Sequence, residues 1–336
     1  MAIQQKNISF SKPTIGKEEI DAVSKVLKSG WLAAGKETEA FEKEFAKYVG
    51  VEYAIFTNSC TSALKMAYKY AKEELGLTSY MLYDENTFCA TYAAAEEMGL
   101  HRWRKKRCNC YKTVSVVVNY GGKHYFHPDN SNLFKITDSA HRIEKYEDVI
   151  NEYEKTAIDG KYYDNADITC YSFYATKNMT TGSGGMFTTN NKENYEKARL
   201  YWKDGLSTST HQRLKGKGWN YKVKAMAGGY DGNDLLATIG RVQLKKLPQF
   251  TKRRNEIVSK YNTAFGQEWT GNHLYPYFVK SEKEVAKFIT YMSKNGISCG
   301  YHYPGTGWLG VSLPLYPLLT DKEVEYIIRK VKEYEL

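Results

Sequence analysis

The 336-residue chain is poor in cysteine, and what it has is scattered. The six are Cys60, Cys89, Cys108, Cys110, Cys170 and Cys299. Such sparse spacing excludes a disulfide framework. Cys108 and Cys110 have no second Cys/His pair nearby, so no metal site is expected. No apolar run approaches the ~20 residues of a membrane-spanning helix. The opening residues, MAIQQKNISF, lack the apolar core of a signal peptide. A cytoplasmic location without membrane contact is therefore expected. Internal repeats and low-complexity tracts are also missing. So are a helix-turn-helix and a stacking-aromatic motif, which leaves little basis for a nucleic-acid reader.

Aromatics are plentiful: 14% of residues, with 29 tyrosines. That composition excludes disorder and points to an aromatic-lined interior or cleft. The length suffices for about two domains. The net charge is +10, and part of it is clustered at 102–107 (RWRKKR), 215–217 (KGK) and 252–254 (KRR). Clusters of this kind suit an acidic partner, either nucleic acid or a nucleotide diphosphate. They also occur as ordinary solvated faces.

The most informative stretch is 168–190, ITCYSFYATKNMTTGSGGMFTTN. An apolar run ends at Tyr174, Lys177 follows, and Gly182, Gly184 and Gly185 precede a second apolar run. The pattern predicts strand, loop, tight turn and strand. A lysine there falls past the carboxyl end of a strand, where open α/β sheets build ligand sites. Ser172, Tyr174, Thr176, Asn178, Thr180 and Thr181 surround the amine with polar groups. The glycines would let another molecule approach the backbone.

Three other stretches have the same logic. Residues 52–57 (EYAIFT) read as a buried strand, followed by Asn58-Ser59-Cys60-Thr61 and a helix. The N–H groups of a first helical turn lack intrahelical partners and favour an anion. An ordinary N-cap gives the same signature. Residues 79–83 read as a strand leading into DENTFCAT, where Phe88 could lie flat on a heteroaromatic ring or sit in the core. The β-branched run 114–119 predicts a central strand. Another strand, 133–137, ends in Asp138-Ser139-Ala140-His141. In a parallel sheet this puts the carboxylate on the side of Lys177 and Thr61. Upstream, 13–30 predicts a helix with Ile20, Val23 and Leu27 at helical spacing, and 38–48 a second with Phe41 and Phe45 inside. Residues 193–203 read as a charged surface helix. A long helix is predicted from Asp234 to about Phe265, kinked or broken at Pro248.

NSCTSAL, TFCAT, DSAHRIE and SFYATKN, in that order, resemble the DegT/DnrJ/StrS family of sugar aminotransferases, as do 13–50 and 226–247. The resemblance implies the aspartate-aminotransferase fold: a three-layer α/β/α large domain with a mostly parallel sheet, and a small C-terminal α/β domain. The division is expected at 1–233 and 234–336. It implies pyridoxal 5′-phosphate (PLP) as cofactor and Lys177 as the Schiff-base lysine. Asp138 would pair with the pyridine nitrogen, and His141 would stand beside the ring hydroxyl. Cys60, Thr61 and Ser172 would border the phosphate, and Phe88 would stack on the ring. It further implies a ping-pong transfer of an amino group from an amino acid, by analogy L-glutamate, to a nucleotide-linked keto sugar. Lys177, once freed, would move the proton between Cα and C4′. A homodimer with shared active sites is implied too. A non-catalytic regulatory or nucleic-acid-binding protein on this fold is the other reading.

The chain departs from the family pattern in places. Ser183 stands where a glutamate is usual, and Gly229 where Asn or Lys reaches the neighbouring subunit's phosphate. The 99–114 and 301–311 segments are short, so acceptor contacts cannot be copied across.

Overall fold

The computed structural model describes residues 7–103, 112–127, 133–145, 166–208 and 221–335. Helices α1 (Lys17–Ser29) and α2 (Lys36–Val49) precede strand β1 (Tyr53–Thr57). Then come α3 (Cys60–Glu73), β2 (Ser79–Leu82), α4 (Ala90–Glu97), β3 (His101–Arg102) and β4 (Thr113–Val118). β5 (Phe134–Ser139), β6 (Ile168–Ser172), β7 (Gly185–Thr189) and α5 (Lys192–Trp202) follow. α6 (Asp234–Phe265) leads to β8 (Tyr275–Phe278), α7 (Glu282–Lys294), β9 (Gly300–Tyr301), β10 (Gly310–Leu313) and α8 (Asp321–Glu335).

The large sheet has seven strands in the order β1-β7-β6-β5-β4-β2-β3. β7 pairs antiparallel with β1 and β6, and every other pairing is parallel. The carboxyl ends of β1, β2, β4, β5 and β6 therefore share one edge. Alternation sorts side chains to the two faces. Ile55 and Phe187 join α3 in one core, while Phe56 and Met186 join Phe41, Phe45 and Leu247 in the other. β4 is buried along its whole length, as its β-branched composition predicts for a central strand. The small sheet, β8-β10-β9, is antiparallel and has its own core with Tyr261, Phe288 and Ile327.

One carboxylate ties the two ends of this architecture. Asp234 begins α6, and its Oδ1 accepts from Gly35 N (2.7 Å), Thr38 N (2.9 Å) and Thr38 Oγ1 (2.7 Å). It thus satisfies donors at the start of α2, which have no partner within that helix.

Three elements differ in detail from their sequence patterns. In α1, Ile20 and Leu27 are 61% and 54% exposed, and the buried residues are Glu19 and Val26. Glu19 is tolerated inside because it accepts from Gly16 N, Gln243 Nε2 and Lys246 Nζ. α6 runs unbroken through Pro248, with Leu244, Leu247 and Phe250 buried on either side. α5 is not merely a surface helix, since Asn194, Ala198, Tyr201 and Trp202 are buried. Of the basic clusters, 104–107 and 215–217 lie outside the described residues, as do Cys108 and Cys110. The 252–254 cluster is only partly solvated: Lys252 is exposed and Arg253 half-buried. Arg253 pairs with Asp321 (2.8 Å), and Arg254 is buried.

Candidate active site

A cleft of about 420 Å³ opens at the carboxyl edge of the large sheet. Cys60, Thr61, Phe88, Asp138, His141, Ser172 and Lys177 all line it. They come from the ends of β1, β2, β5 and β6, so the parallel sheet is what gathers them.

Lys177 lies in the loop that leaves β6. Its backbone N–H donates to Tyr174 O (2.9 Å), which folds the loop back. The next residue is clamped from below. Arg254 Nη1 donates to Asn178 O (3.1 Å), and Asn178 Nδ2 donates to Asn272 Oδ1 (3.1 Å). Burial lowers the Lys177 amine from its ordinary 10.5 to about 8, with Asp138 pulling the other way. Among the described residues the amine makes no hydrogen bond or ion pair. An amine so placed has a substantial neutral fraction near neutral pH and can act as a nucleophile.

Asp138 is buried at the end of β5. Thr91 Oγ1 donates to its Oδ2 (2.6 Å) and Ala140 N to its Oδ1 (3.0 Å). Burial raises the carboxyl's pKa, and those two donors and Lys177 oppose it. Thr91 is held in turn by Thr87 (2.7 Å between hydroxyls). The carboxylate has about four lone-pair sites, and two are taken. It can still accept the N–H of a protonated ring nitrogen.

His141 follows on the same turn. Gly121 N donates to its Nδ1 (3.1 Å), so the proton of the neutral ring is on Nε2. Burial, with Lys177 and His273 nearby, pushes this imidazole well below its usual pKa and keeps it neutral.

Opposite, α3 begins with Ser59 as N-cap, its Oγ accepting from Ser62 N (3.1 Å). The helix has 14 residues, and Cys60 and Thr61 form its first turn beside the cleft. Gly185 makes this possible. A Cβ there would come within 2.4 Å of Cys60 N and 2.5 Å of the Ser59 carbonyl carbon. The glycine thus serves close approach of the chain's own backbone rather than of a ligand. Phe88 is 61% exposed at the cleft mouth, which excludes the core reading for that residue.

These residues fit PLP. A buried carboxylate retains acceptor capacity, an unpaired amine shares its cleft, and a helix N-terminus with hydroxyls can take a dianion. Among the described lining residues, Lys177 is the only lysine or arginine. No described group of three or more His, Cys, Asp or Glu could hold a metal ion, and no described helix is long and apolar enough to cross a membrane.

Sequence reasoning missed several cleft residues: Phe10, His273, His302 and Tyr303. The His141 and His273 rings lie 4.3 Å apart, although 132 positions separate them. What joins them is Gly121, whose N–H donates to His141 Nδ1 and whose O accepts from His273 N (3.0 Å) and Leu274 N (3.1 Å). The only signal in the sequence was the Tyr120-Gly121-Gly122 stop, where φ is positive at both glycines and a Cβ on Gly122 would meet His273 N at 2.9 Å.

Known proteins resemble the chain along its whole length. The sequence model of the DegT/DnrJ/EryC1/StrS aminotransferase family matches residues 13–103 and 118–309. The spore coat polysaccharide biosynthesis protein SpsC of Bacillus subtilis is 31% identical over 396 aligned positions, covering 98% of each chain. A Campylobacter jejuni protein, UDP-4-amino-4,6-dideoxy-N-acetyl-beta-L-altrosamine transaminase, is 28% identical, covering 89% of this chain and 84% of its own. The solved structure of Helicobacter pylori PseC, an aminotransferase involved in the biosynthesis of pseudoaminic acid, superposes with a TM-score of 0.79 at 23% identity, over 98% of this chain and 99% of that one. With a PLP-shaped constellation at its sheet edge and the family's sequence from end to end, the chain belongs to the DegT/DnrJ/EryC1/StrS family of PLP-dependent sugar aminotransferases.

Proposed function

We propose that this enzyme transfers an amino group from an amino acid, L-glutamate in the reading we favour, to a nucleotide-linked keto sugar in two half-reactions. The observation that carries it is the Lys177 amine, on a half-buried side chain, unpaired among the described residues and held near pKa 8 in one cleft with buried Asp138. The UDP-sugar name of the Campylobacter relative supports the acceptor class, and the chain's net charge of +10 suits a diphosphate.

When bound, PLP supplies an aldehyde that condenses with amines and a ring that withdraws electrons. The chain's own residues do the rest. Lys177 anchors the cofactor at rest. With the amino donor in place, a neutral Lys177 Nζ would take the proton from the donor's Cα. Asp138 keeps the ring nitrogen protonated, because a carboxylate beside it favours the charged form. His141 offers Nε2–H to the ring hydroxyl. Thr61 and Ser172 hydroxyls, with the α3 N–H groups beside Cys60, hold the phosphate. Phe88 covers the ring. In the second half the same groups work in reverse on the keto acceptor.

The enzyme is a homodimer whose subunits complete each other's sites in this reading. Among the described lining residues no other is cationic, which supports a contribution to the diphosphate from outside them. A fully active monomer in sedimentation experiments overturns that part. The acceptor is tested by loading the enzyme with pyridoxamine phosphate and offering 3-keto and 4-keto nucleotide sugars. Return of the cofactor's lysine-bound visible band identifies the acceptor. If only free keto acids or aldehydes restore it, the sugar reading fails.

A further inference from the structure

Tyr303 has a backbone that its side chain should resist. Its φ is +62°, and apart from Asp204 it is the only described non-glycine residue in that region. An L side chain disfavours this conformation. Pro304 follows, and a residue before proline is pushed toward extended backbone. Two steric preferences are therefore violated at one position.

The surroundings enforce it. Tyr303 leaves β9 at the root of a short β9–β10 connection. The connection is closed by Tyr301 Oη donating to Trp308 O (3.0 Å) and by Thr306 Oγ1 donating to Tyr303 O (2.9 Å). Gly305 and Gly307 take positive φ to complete the turn. The phenol ring packs 5.6 Å from Tyr120, which meets Trp308 edge-on at 5.3 Å. Across the turn, His302 is held by Ser312 (3.0 Å).

The result is a rigid aromatic wall that presents Tyr303 to the cleft shared with Lys177 and Asp138. Its hydroxyl makes no hydrogen bond among the described residues, though it can both donate and accept. Packing alone would be served by phenylalanine. A strained backbone that delivers an uncommitted hydroxyl to a reaction site is a reason to look for what the hydroxyl binds.

We propose that Tyr303 is a specificity-determining residue whose hydroxyl hydrogen-bonds a hydroxyl group of the keto acceptor. The inference rests on the acceptor reading above. It adds that the acceptor carries a free hydroxyl at the position facing the β9–β10 wall.

The test compares wild type with Tyr303→Phe, which keeps the ring and its packing. Each half-reaction is followed separately by the cofactor's absorbance. Loss of one neutral hydrogen bond is expected to raise the acceptor KM about 10-fold. The amino-donor half-reaction and kcat should stay unchanged. Calorimetric titration of the acceptor into cofactor-free enzyme should show the same 10-fold weakening. With acceptors lacking one hydroxyl each, wild type should lose that factor for one of them, and Tyr303→Phe should lose nothing further there. Unchanged acceptor binding in Tyr303→Phe overturns the proposal, as does an equal slowing of both halves, which would mark a structural role. A wild type that responds to no nucleotide-linked keto sugar overturns the acceptor reading itself, and this inference with it.

Discussion

Replacing Lys177 by methionine should make the cofactor-free protein more stable at neutral pH while abolishing catalysis. The folded-state amine titrates at about 8 because burial penalises its charge, against 10.5 for an exposed lysine. Between these values the unfolded chain binds more protons than the folded one, so stability rises with pH across that window. Below pH 8 the penalty is fully present, and above 10.5 it is gone. One pKa unit corresponds to 1.36 kcal/mol, so the charged amine costs about 3 kcal/mol at pH 7 and about 1 kcal/mol at pH 9.5. Methionine fills similar space and carries no charge to desolvate. The assay is urea unfolding of both cofactor-free proteins at the two pH values. Tyrosines that titrate near pH 10 are common to both and cancel in the difference. The variant should lead by about 3 kcal/mol at pH 7, and the lead should shrink by roughly 2 kcal/mol at pH 9.5. A lead that does not change with pH, or a less stable variant at pH 7, refutes the claim that the amine is held buried against its charge.

Asp138→Asn should reduce turnover about 10²- to 10³-fold while PLP still binds, because the ring nitrogen loses its carboxylate and the phosphate anchor is untouched; near-normal turnover removes Asp138 from its role. Borohydride reduction of the PLP-loaded enzyme, followed by peptide mapping, should place a pyridoxyl adduct on Lys177, and an adduct elsewhere contradicts the assignment. Gly185→Ala should lower PLP affinity more than 10-fold and destabilise the fold by about 1–3 kcal/mol, since its Cβ would press on the first turn of α3; unchanged PLP titration and urea midpoints would show that the contact yields freely.

Much of the cofactor end of the site was legible in the sequence. Asp138 follows directly on a predicted strand, and Lys177, Thr61 and Phe88 lie in the loops or turns just after one. A parallel sheet lines up the carboxyl ends of its strands, which grouped Lys177, Asp138 and Thr61, while Phe88 joined them through the family resemblance. The strand at 114–119 was readable because β-branched residues without polar interruption suit burial on both faces. Ile20 and Leu27, both exposed, show where such pattern reading stops. Helical spacing shows that residues share a face, and not which face meets the core. Here the buried face of α1 includes Glu19, whose charge is met by Lys246 from α6. That partner lies more than 200 residues away.

Local order thus determined the strands and the place of Lys177 just past one of them, because those depend on propensity and on periodicity within a few residues, while the cofactor assignment came from the family resemblance. Tertiary structure alone decided the other wall of the cleft. His273 and His141 are linked through the Gly121 peptide groups, the carbonyl accepting from His273 N and the N–H donating to His141 Nδ1, and Arg254 steadies the Lys177 loop from α6. Tyr303 faces the same space only because a glycine-bearing turn forces its backbone to positive φ. Contacts of that kind join residues 76 to 152 positions apart. They arise where connecting loops and the long helix α6 meet across the chain, and no pattern within a short window of sequence encodes them.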